Sequence, residues 1–141
     1  MELLYKKEVK GAKPQMVREL TGEIINSIEA WRCLSEEEKY EFRIIINELI
    51  VNGIIHGNEC FCDKVLKVAI YALDDNTVSI CIQDEGRGFN YKEIIEEGCF
   101  PCDSALFLER GRGLKIVQHI CDAIKFSHNG SWVNVKKTVR A

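Results

Sequence analysis

The longest apolar runs in the 141-residue sequence are only a few residues. A helix that crosses a bilayer needs about 20 consecutive apolar residues, so no segment is expected to span a membrane. The first seven residues, Met-Glu-Leu-Leu-Tyr-Lys-Lys, also lack the apolar stretch and the cleavage site of a signal peptide. We therefore expect a cytoplasmic protein that does not associate with membranes.

An excess of positive charge is also missing. The formal net charge is -3 and the pI is about 5.7. Proteins that bind nucleic-acid phosphates usually carry a basic surface, so nucleic acid is not expected as a partner. With 46% hydrophobic and 29% charged residues, the composition is that of an ordinary globular protein. We expect one domain over residues 1–141, with no internal repeat, low-complexity tract or linker.

Cysteine, by contrast, is frequent, with seven residues. In a reducing compartment most should be free thiols that behave as small hydrophobes, and three within apolar patterns fit this reading: Cys33, Cys81 and Cys121. Two close pairs admit a redox couple or a metal site: Cys60 with Cys62, and Cys99 with Cys102. The C-x-C spacing is tight for zinc and no thioredoxin-like context is present, so this site is the less favoured alternative.

Residue spacing predicts the elements of the first half. Leu3 to Val9 is a plausible edge strand because it mixes apolar residues with lysines. From Pro14, apolar residues at helical spacing predict an amphipathic helix that ends near Arg32. Ser35 and Glu38 form a capping box, which starts a second helix that Gly57 ends.

The second half reads as two hairpins around one helix. Residues 64–73 and 77–83 predict paired strands, and residues 124–128 and 131–139 predict a second pair around Asn129-Gly130. A loop and a helix that begins near Gly111 separate the two hairpins. This order predicts an α/β (α+β) fold, a two-layer sandwich of a mixed, mainly antiparallel sheet with helices on one face.

A polar row in the second helix suggests a site. Glu48, Asn52 and His56 are four residues apart and share a helix face, whereas isoleucine and leucine cover most of the remaining surface. A helix that is apolar on nearly all sides is expected to be buried. Buried polar groups cost free energy unless they are hydrogen-bonded or hold a ligand, so the row is an internal network or the floor of a site, and we favour the site.

Two glycine-containing boxes lie where a ligand could approach the backbone. Asp84-x-Gly86-x-Gly88 follows a predicted strand, and its aspartate could accept a hydrogen bond from an exocyclic amine such as that of adenine. Gly111-x-Gly113-Leu114 is predicted at a helix N-terminus, which favours phosphate, and Arg110 and Arg112 flank it. Each box taken alone is also explained as an ordinary turn or helix cap.

The order of these features resembles the N, G1 and G2 boxes of the GHKL ATPases, which share the Bergerat ATP-binding fold. No P-loop motif is present. Within that superfamily, the Glu48-x-x-x-Asn52-x-x-x-His56-Gly57 helix is similar to that of the bacterial anti-sigma-factor serine/threonine kinases. The resemblance covers the chain from the capping box to the last strand.

The resemblance implies ATP and Mg²⁺ as cofactors. It implies that Glu48 is the catalytic base, that Asn52 binds Mg²⁺ and that Asp84 reads the adenine amine. It implies an ATP lid over about residues 90–112. The other residues expected around the nucleotide are His56, Gly57, Gly86, Gly88, Phe89, Arg110, Gly111, Arg112, Gly113, Leu114 and Ser131.

The leading expectation is thus a serine/threonine protein kinase that phosphorylates an anti-sigma-factor antagonist and binds a sigma factor or a similar regulator. The resemblance also suggests a homodimer. One alternative is a nucleotide-gated interaction module without phosphotransfer. Another is a stand-alone catalytic domain of a histidine kinase, which would need a helical hairpin bearing a phosphoacceptor histidine, and no spare segment supplies one.

Overall fold

A five-stranded sheet forms one layer of the molecule. The computed structural model describes residues 1–86, 105–127 and 131–140. The strands are β1 (Glu2–Lys10), β2 (Val65–Ala72), β3 (Thr77–Gln83), β4 (Ala123–Ser127) and β5 (Trp132–Thr138), in the order β1-β2-β3-β5-β4. The two predicted hairpins and the edge position of β1 are confirmed. Every pairing in the described part of the chain is antiparallel, so these strands supply no parallel component to the predicted mixed sheet.

Three helices form the second layer, on one face of the sheet. A 3₁₀ turn (Pro14–Met16) leads into α1 (Val17–Trp31), which is followed by α2 (Glu36–Val51), a π-helical segment (Asn52–Gly57) and later α3 (Ala105–Ile120). Alternate residues of the three central strands pack with the helices in one core: Leu66, Val68, Ile70, Val78, Ile80, Ile82, Val133 and Val135. The predicted two-layer α/β architecture is confirmed.

The start of α2 is fixed by the predicted capping box. The Ser35 hydroxyl accepts a hydrogen bond from the Glu38 N–H, and the Glu38 carboxylate accepts one from the Ser35 N–H, each at 3.1 Å. Glu38 is only 1% exposed, and its carboxylate also accepts a hydrogen bond from the backbone N–H of Arg140. The cap therefore joins the first turn of α2 to the residues that follow β5.

The expected burial of the helical stretch from Asn47 to Asn58 is confirmed, since every residue of this stretch after Asn47 is buried or partly buried, but the whole of α2 also has an exposed face. Tyr40, Arg43 and Asn47 are exposed, and their spacing of three and four residues places them on one face of the helix. The opposite face carries the residues that are buried in the core: Phe42, Ile45, Ile46, Leu49 and Ile50. The sheet covers only one side of α2, so its outer stripe faces solvent.

The expected start of the third helix near Gly111 is wrong. Helix α3 begins at Ala105, so Gly111 and Gly113 lie inside it and not at its N-terminus. Alanine, leucine, glutamate and arginine before Gly111 are strong helix formers, and a glycine inside a helix costs only about 1 kcal/mol. The glycines alone were therefore a poor marker of the helix start.

The apolar patterns around two other residues are misleading as guides to burial. Cys33 was expected to pack as a small hydrophobe, but it is exposed just after α1. Ile116 was assigned to the apolar face of α3, yet it is 46% exposed, whereas Leu114 and Val117 enter the core. Among the described helices, none is both long and apolar enough to cross a membrane.

Candidate functional site

The candidate site begins where α2 changes its helical pitch. After Val51 the chain continues as a π-helical segment, and the Asn58 N–H donates to the Gly53 carbonyl oxygen, five residues earlier, at 2.8 Å. π-Helical turns are rare and often occur at functional sites. The predicted row runs through this change of pitch: Asn52 is buried, and Glu48 and His56 are partly buried.

Asn52 is a buried amide with an incomplete set of hydrogen bonds. The residue is 8% exposed, and its Nδ2 atom has no acceptor among the described residues. A buried donor without a partner is uncommon in folded proteins, and a group completed by a bound molecule is one explanation. Asn52 therefore fits the requirement for a residue whose amide donates a hydrogen bond to a bound ligand.

Asp84 follows β3, and hydrogen bonds with backbone groups of Ser131 and Gly86 hold it in place. It is 7% exposed, and its N–H donates to the carbonyl oxygen of Ser131 at 2.9 Å. One carboxylate oxygen accepts a hydrogen bond from the Gly86 N–H at 2.8 Å, which closes a small turn at the strand end. The structure thus brings three predicted site residues, Asp84, Gly86 and Ser131, into one hydrogen-bonded group.

Two glycines allow the π-helical segment to touch this group. A Cβ atom on Gly57 would lie 2.6 Å from Asp84 Oδ1 and nearer still to the rest of the carboxyl group, and real Cβ contacts are never this short. A Cβ atom on Gly86 would lie 2.7 Å from the carbonyl carbon of Gly57. The carboxylate of Asp84 therefore lies directly against the backbone that follows His56, in a cradle that larger residues would fill.

A third glycine brings α3 to the same row. A Cβ atom on Gly113 would lie 2.8 Å from the carboxyl carbon of Glu48 and would overlap its Oε2 atom. The Glu48 carboxylate thus lies against the backbone of α3, one helical turn before Asn52. Together with the Asp84 contact, this arrangement brings the helix that carries Glu48, Asn52 and His56 against both the residues after β3 and helix α3.

Some predicted site residues are in other positions or remain predictions. Leu114 is 1% exposed and belongs to the hydrophobic core, so it supports the site from behind. Gly111 and Gly113 lie within α3, as described above. Several assignments lie wholly or partly outside what the structure describes: Gly88, Phe89, Cys99, Cys102, the side chains of Arg110 and Arg112, and most of the lid.

Cys60 and Cys62 lie in the turn that follows the π-helical segment, and both are exposed. Glu59 and Cys60 have positive φ angles of 54° and 59°, which turn the chain sharply towards β2. Among the described residues, no three histidine, cysteine or acidic side chains gather in a way that could hold a metal ion. The alternative thiol or metal site needs Cys99 and Cys102, so it stays a prediction.

Two residues of this region were not predicted from the sequence: Asn58 and Glu85. The Asn58 side chain is buried and joins the end of the π-helical segment to β2 and to the residue after Asp84. An asparagine at the end of a helix is common in turns, which was the only available signal. The partners of Asn58 depend on the tertiary fold.

Comparison with known proteins gives a family match over most of the chain. A profile of the histidine kinase-like ATPase domain matches residues 11–137. The chain is similar to proteins named anti-sigma F factor: it is 31% identical over 97 residues to that of Heyndrickxia coagulans, covering 66% of this chain and 65% of the relative. It is 32% identical over 89 residues to that of Bacillus velezensis, covering 62% and 59%, and 30% identical over 89 residues to that of Bacillus subtilis, with the same coverage. The matches thus span less than two thirds of the length of these relatives.

Proposed function

The chain belongs to the histidine kinase-like ATPase family, and on this premise we propose that it is a cytoplasmic, ATP-dependent serine/threonine protein kinase of the anti-sigma-factor type. Its substrate would be an antagonist protein with a serine or threonine acceptor, and it would also bind a sigma factor or a similar regulator of transcription. The names of the curated relatives support this choice within the family. The family resemblance further supports a homodimer.

The observation that carries the proposal is that glycine contacts bring Glu48 against α3 and Asp84 against the π-helical segment that contains Asn52. Glu48 touches Gly113, Asp84 touches Gly57, and Asn52 lies between them in sequence with an unpartnered buried Nδ2 atom. A purely structural polar row would be expected to satisfy its own donors. An open donor in the same π-helical segment that contacts the Asp84 carboxylate suits a ligand with both donor and acceptor groups, such as a nucleotide.

Each residue has a role that its chemistry permits. Asn52 would hold Mg²⁺ through its side-chain oxygen, the kind of ligand that this ion prefers. Asp84 would accept a hydrogen bond from the adenine amine. Glu48 would accept the proton of the attacking hydroxyl group, provided that it is ionised. When bound, Mg-ATP supplies the phosphoryl group and the cation that neutralises its charge.

Phosphotransfer from radiolabelled ATP to a purified antagonist protein tests the proposal. We expect the wild-type chain to label a serine or threonine of the antagonist. Glu48→Gln should still bind ATP, because it keeps the size of the side chain, but should transfer phosphate about 100-fold or more slowly since it cannot accept a proton. Asn52→Ala should lose both binding and transfer, and the exposed Asn47→Ala serves as the matched control for binding.

Equal transfer rates in wild type and Glu48→Gln would reject Glu48 as the base. ATP binding without any transfer would instead favour the second candidate, a nucleotide-gated interaction module. One observation supports that candidate: Gly111 and Gly113 lie inside α3, where the backbone N–H groups of a helix are occupied by its own carbonyls. A change in this helix on nucleotide binding would then be the output of the protein.

A further inference from the structure

A ring of three hydrogen bonds lies beside the candidate nucleotide site. The Asn58 Oδ1 atom accepts from the Glu85 N–H at 2.7 Å, and its Nδ2 atom donates to the Val65 carbonyl oxygen at 3.1 Å. The Val65 N–H in turn donates to the Glu85 carboxylate at 2.5 Å. Asn58 is 2% exposed, so its carboxamide is a buried group with partners on both ends. The donor and the acceptor that face it fix the orientation of the amide.

The ring stands where the pairing of β2 and β3 would otherwise continue. The last pair of the β2–β3 ladder is Lys67 with Gln83, so the register would next place Val65 opposite Glu85. In a continued antiparallel ladder, the backbone groups of these two residues would bond directly. Here the Asn58 carboxamide bridges the Glu85 N–H to the Val65 carbonyl, and the Glu85 side chain takes the Val65 N–H. The Asn58 side chain is therefore inserted between the ends of β2 and β3 and terminates their backbone pairing.

The end of the β2–β3 pairing at this point affects the position of Asp84. On the β5 side, the Asp84 N–H is bonded to the Ser131 carbonyl. On the β2 side, the next residue is held by Asn58 and not by β2 itself. The chain after Gln83 is thus fixed on both sides but separated from β2 by the width of an amide. This separation coincides with the contact of the Asp84 carboxylate with Gly57.

We infer that Asn58 is a positioning residue that sets the Asp84 carboxylate for recognition of the exocyclic amine of a purine nucleotide. The inference rests on the proposed function, because it assigns Asp84 to the base. Asn58 itself makes no contact with the base in this account. It acts through Glu85 and the turn from Asp84 to Gly86.

The test compares ATP with inosine triphosphate, in which a carbonyl oxygen replaces the 6-amino group. Titration calorimetry with Mg²⁺ gives both dissociation constants for wild type and Asn58→Ala, and urea unfolding of each protein gives the folded fraction for correction. We expect wild type to prefer ATP, since the Asp84 carboxylate attracts an amine and repels a carbonyl oxygen. In Asn58→Ala this preference should fall by about tenfold, mainly through weaker ATP binding.

Glu85→Ala keeps the test valid if Asn58→Ala does not fold. Glu85 is exposed, and its removal opens one of the three bonds while Asn58 remains in place. The preference for ATP should then fall by about threefold, which is about half of the tenfold effect in free energy. Asn47→Ala, an exposed asparagine on α2, should leave the preference unchanged.

The outcomes separate the inference from the proposed function. A wild-type protein that prefers ATP, with the same preference in Asn58→Ala and Glu85→Ala, overturns the inference and leaves the nucleotide site intact. Variants that weaken both nucleotides equally also overturn it, because Asn58 would then have a purely structural role. A wild-type protein that binds neither nucleotide, or binds both alike, overturns the assignment of Asp84 and the inference with it.

Discussion

Glycine is required in the candidate site because neighbouring groups leave no room for a side chain. It is not required by a positive φ angle. Gly57, Gly86 and Gly113 do not adopt positive φ angles, whereas Gly11 does, at 68°. Each of the three would instead place a Cβ atom inside a neighbouring carboxylate or carbonyl group. A sequence shows that glycine is present but not which of these two reasons applies. The structure assigns the reason.

We predict that Gly57→Ala abolishes nucleotide binding because its methyl group would displace the Asp84 carboxylate. The same overlap should lower the free energy of unfolding by about 1–3 kcal/mol, as overpacking generally does. Calorimetry and urea unfolding measure the two effects.

Gly22→Ala is the matched control. A Cβ atom on Gly22 meets nothing within 4 Å, and the residue lies inside α1. We expect it to raise stability by about 0.5–1 kcal/mol with unchanged binding, because alanine is the better helix former. Loss of binding in Gly22→Ala, or normal binding in Gly57→Ala, would contradict the contact argument.

The buried Glu38 carboxylate should make the free energy of unfolding depend on pH. Burial by itself raises the pKa of this carboxyl group, but hydrogen bonds from the backbone N–H groups of Ser35 and Arg140 more than offset it, so the pKa in the folded protein is lowered. A lowered folded-state pKa contributes stability above the pKa of the unfolded chain, and this stability is lost as the pH falls through the folded-state value.

Glu38→Gln should therefore be less stable than wild type at pH 7, by about 1.5–3 kcal/mol, the range for hydrogen bonds to a charged group. The difference should shrink as the pH is lowered towards 3, since wild type then loses the same charge. Urea unfolding of both proteins across this range checks the prediction. A gap that stays constant with pH would show that the Glu38 charge does not contribute.

At the scale of elements, strand pairing and helix order follow from short-range patterns, whereas the limits of α3 do not. The Thr77–Gln83 alternation and the Ser35 capping box are local signals, and both predictions agree with the structure. The start of α3 depends on a balance between helix formers before Gly111 and the cost of two glycines. The ring around Asn58 joins residues 7 and 27 positions apart, so no local pattern could reveal it.

Because residues 105–112 are helical, a substitution that shortens the start of α3 is expected to strengthen ATP binding. If the backbone of Gly111 and Gly113 binds phosphate, the turns of α3 before them must first unwind, because a helix already uses those N–H groups. Glu109→Pro removes one N–H donor and clashes with the preceding turn, so it would move the helix start close to the glycines. We expect it to bind ATP several-fold more tightly than Glu109→Ala, its matched control. Weaker binding than the control would contradict phosphate binding at this helix.

At the scale of the molecule, Lys137 links three elements. It is 6% exposed, and its ammonium group donates to the Ile120 carbonyl at the end of α3 at 2.7 Å and lies 3.4 Å from the Glu41 carboxylate of α2. A lysine on β5 thus joins the sheet to both helices that carry the candidate site. The sequence placed this residue only in the predicted strand over residues 131–139.

Lys137→Met should lower the free energy of unfolding by about 1–3 kcal/mol because it leaves the part-buried Ile120 carbonyl without this donor and leaves Glu41 with Arg140 as its remaining cation. Lys136→Met, on the opposite face of the same strand, should change it by less than about 0.5 kcal/mol. Urea unfolding distinguishes the two variants. Equal effects would show that Lys137 acts only through its apolar stem.

The central claim is that Glu48, Asn52 and Asp84 form one nucleotide site. Calorimetric titration with ATP, with and without Mg²⁺, tests it most directly in wild type, Asn52→Ala and Asp84→Asn. We expect stoichiometric binding by wild type that depends on Mg²⁺ and is lost in both variants. Absence of binding by the wild-type protein, whether reduced or oxidised, would contradict it.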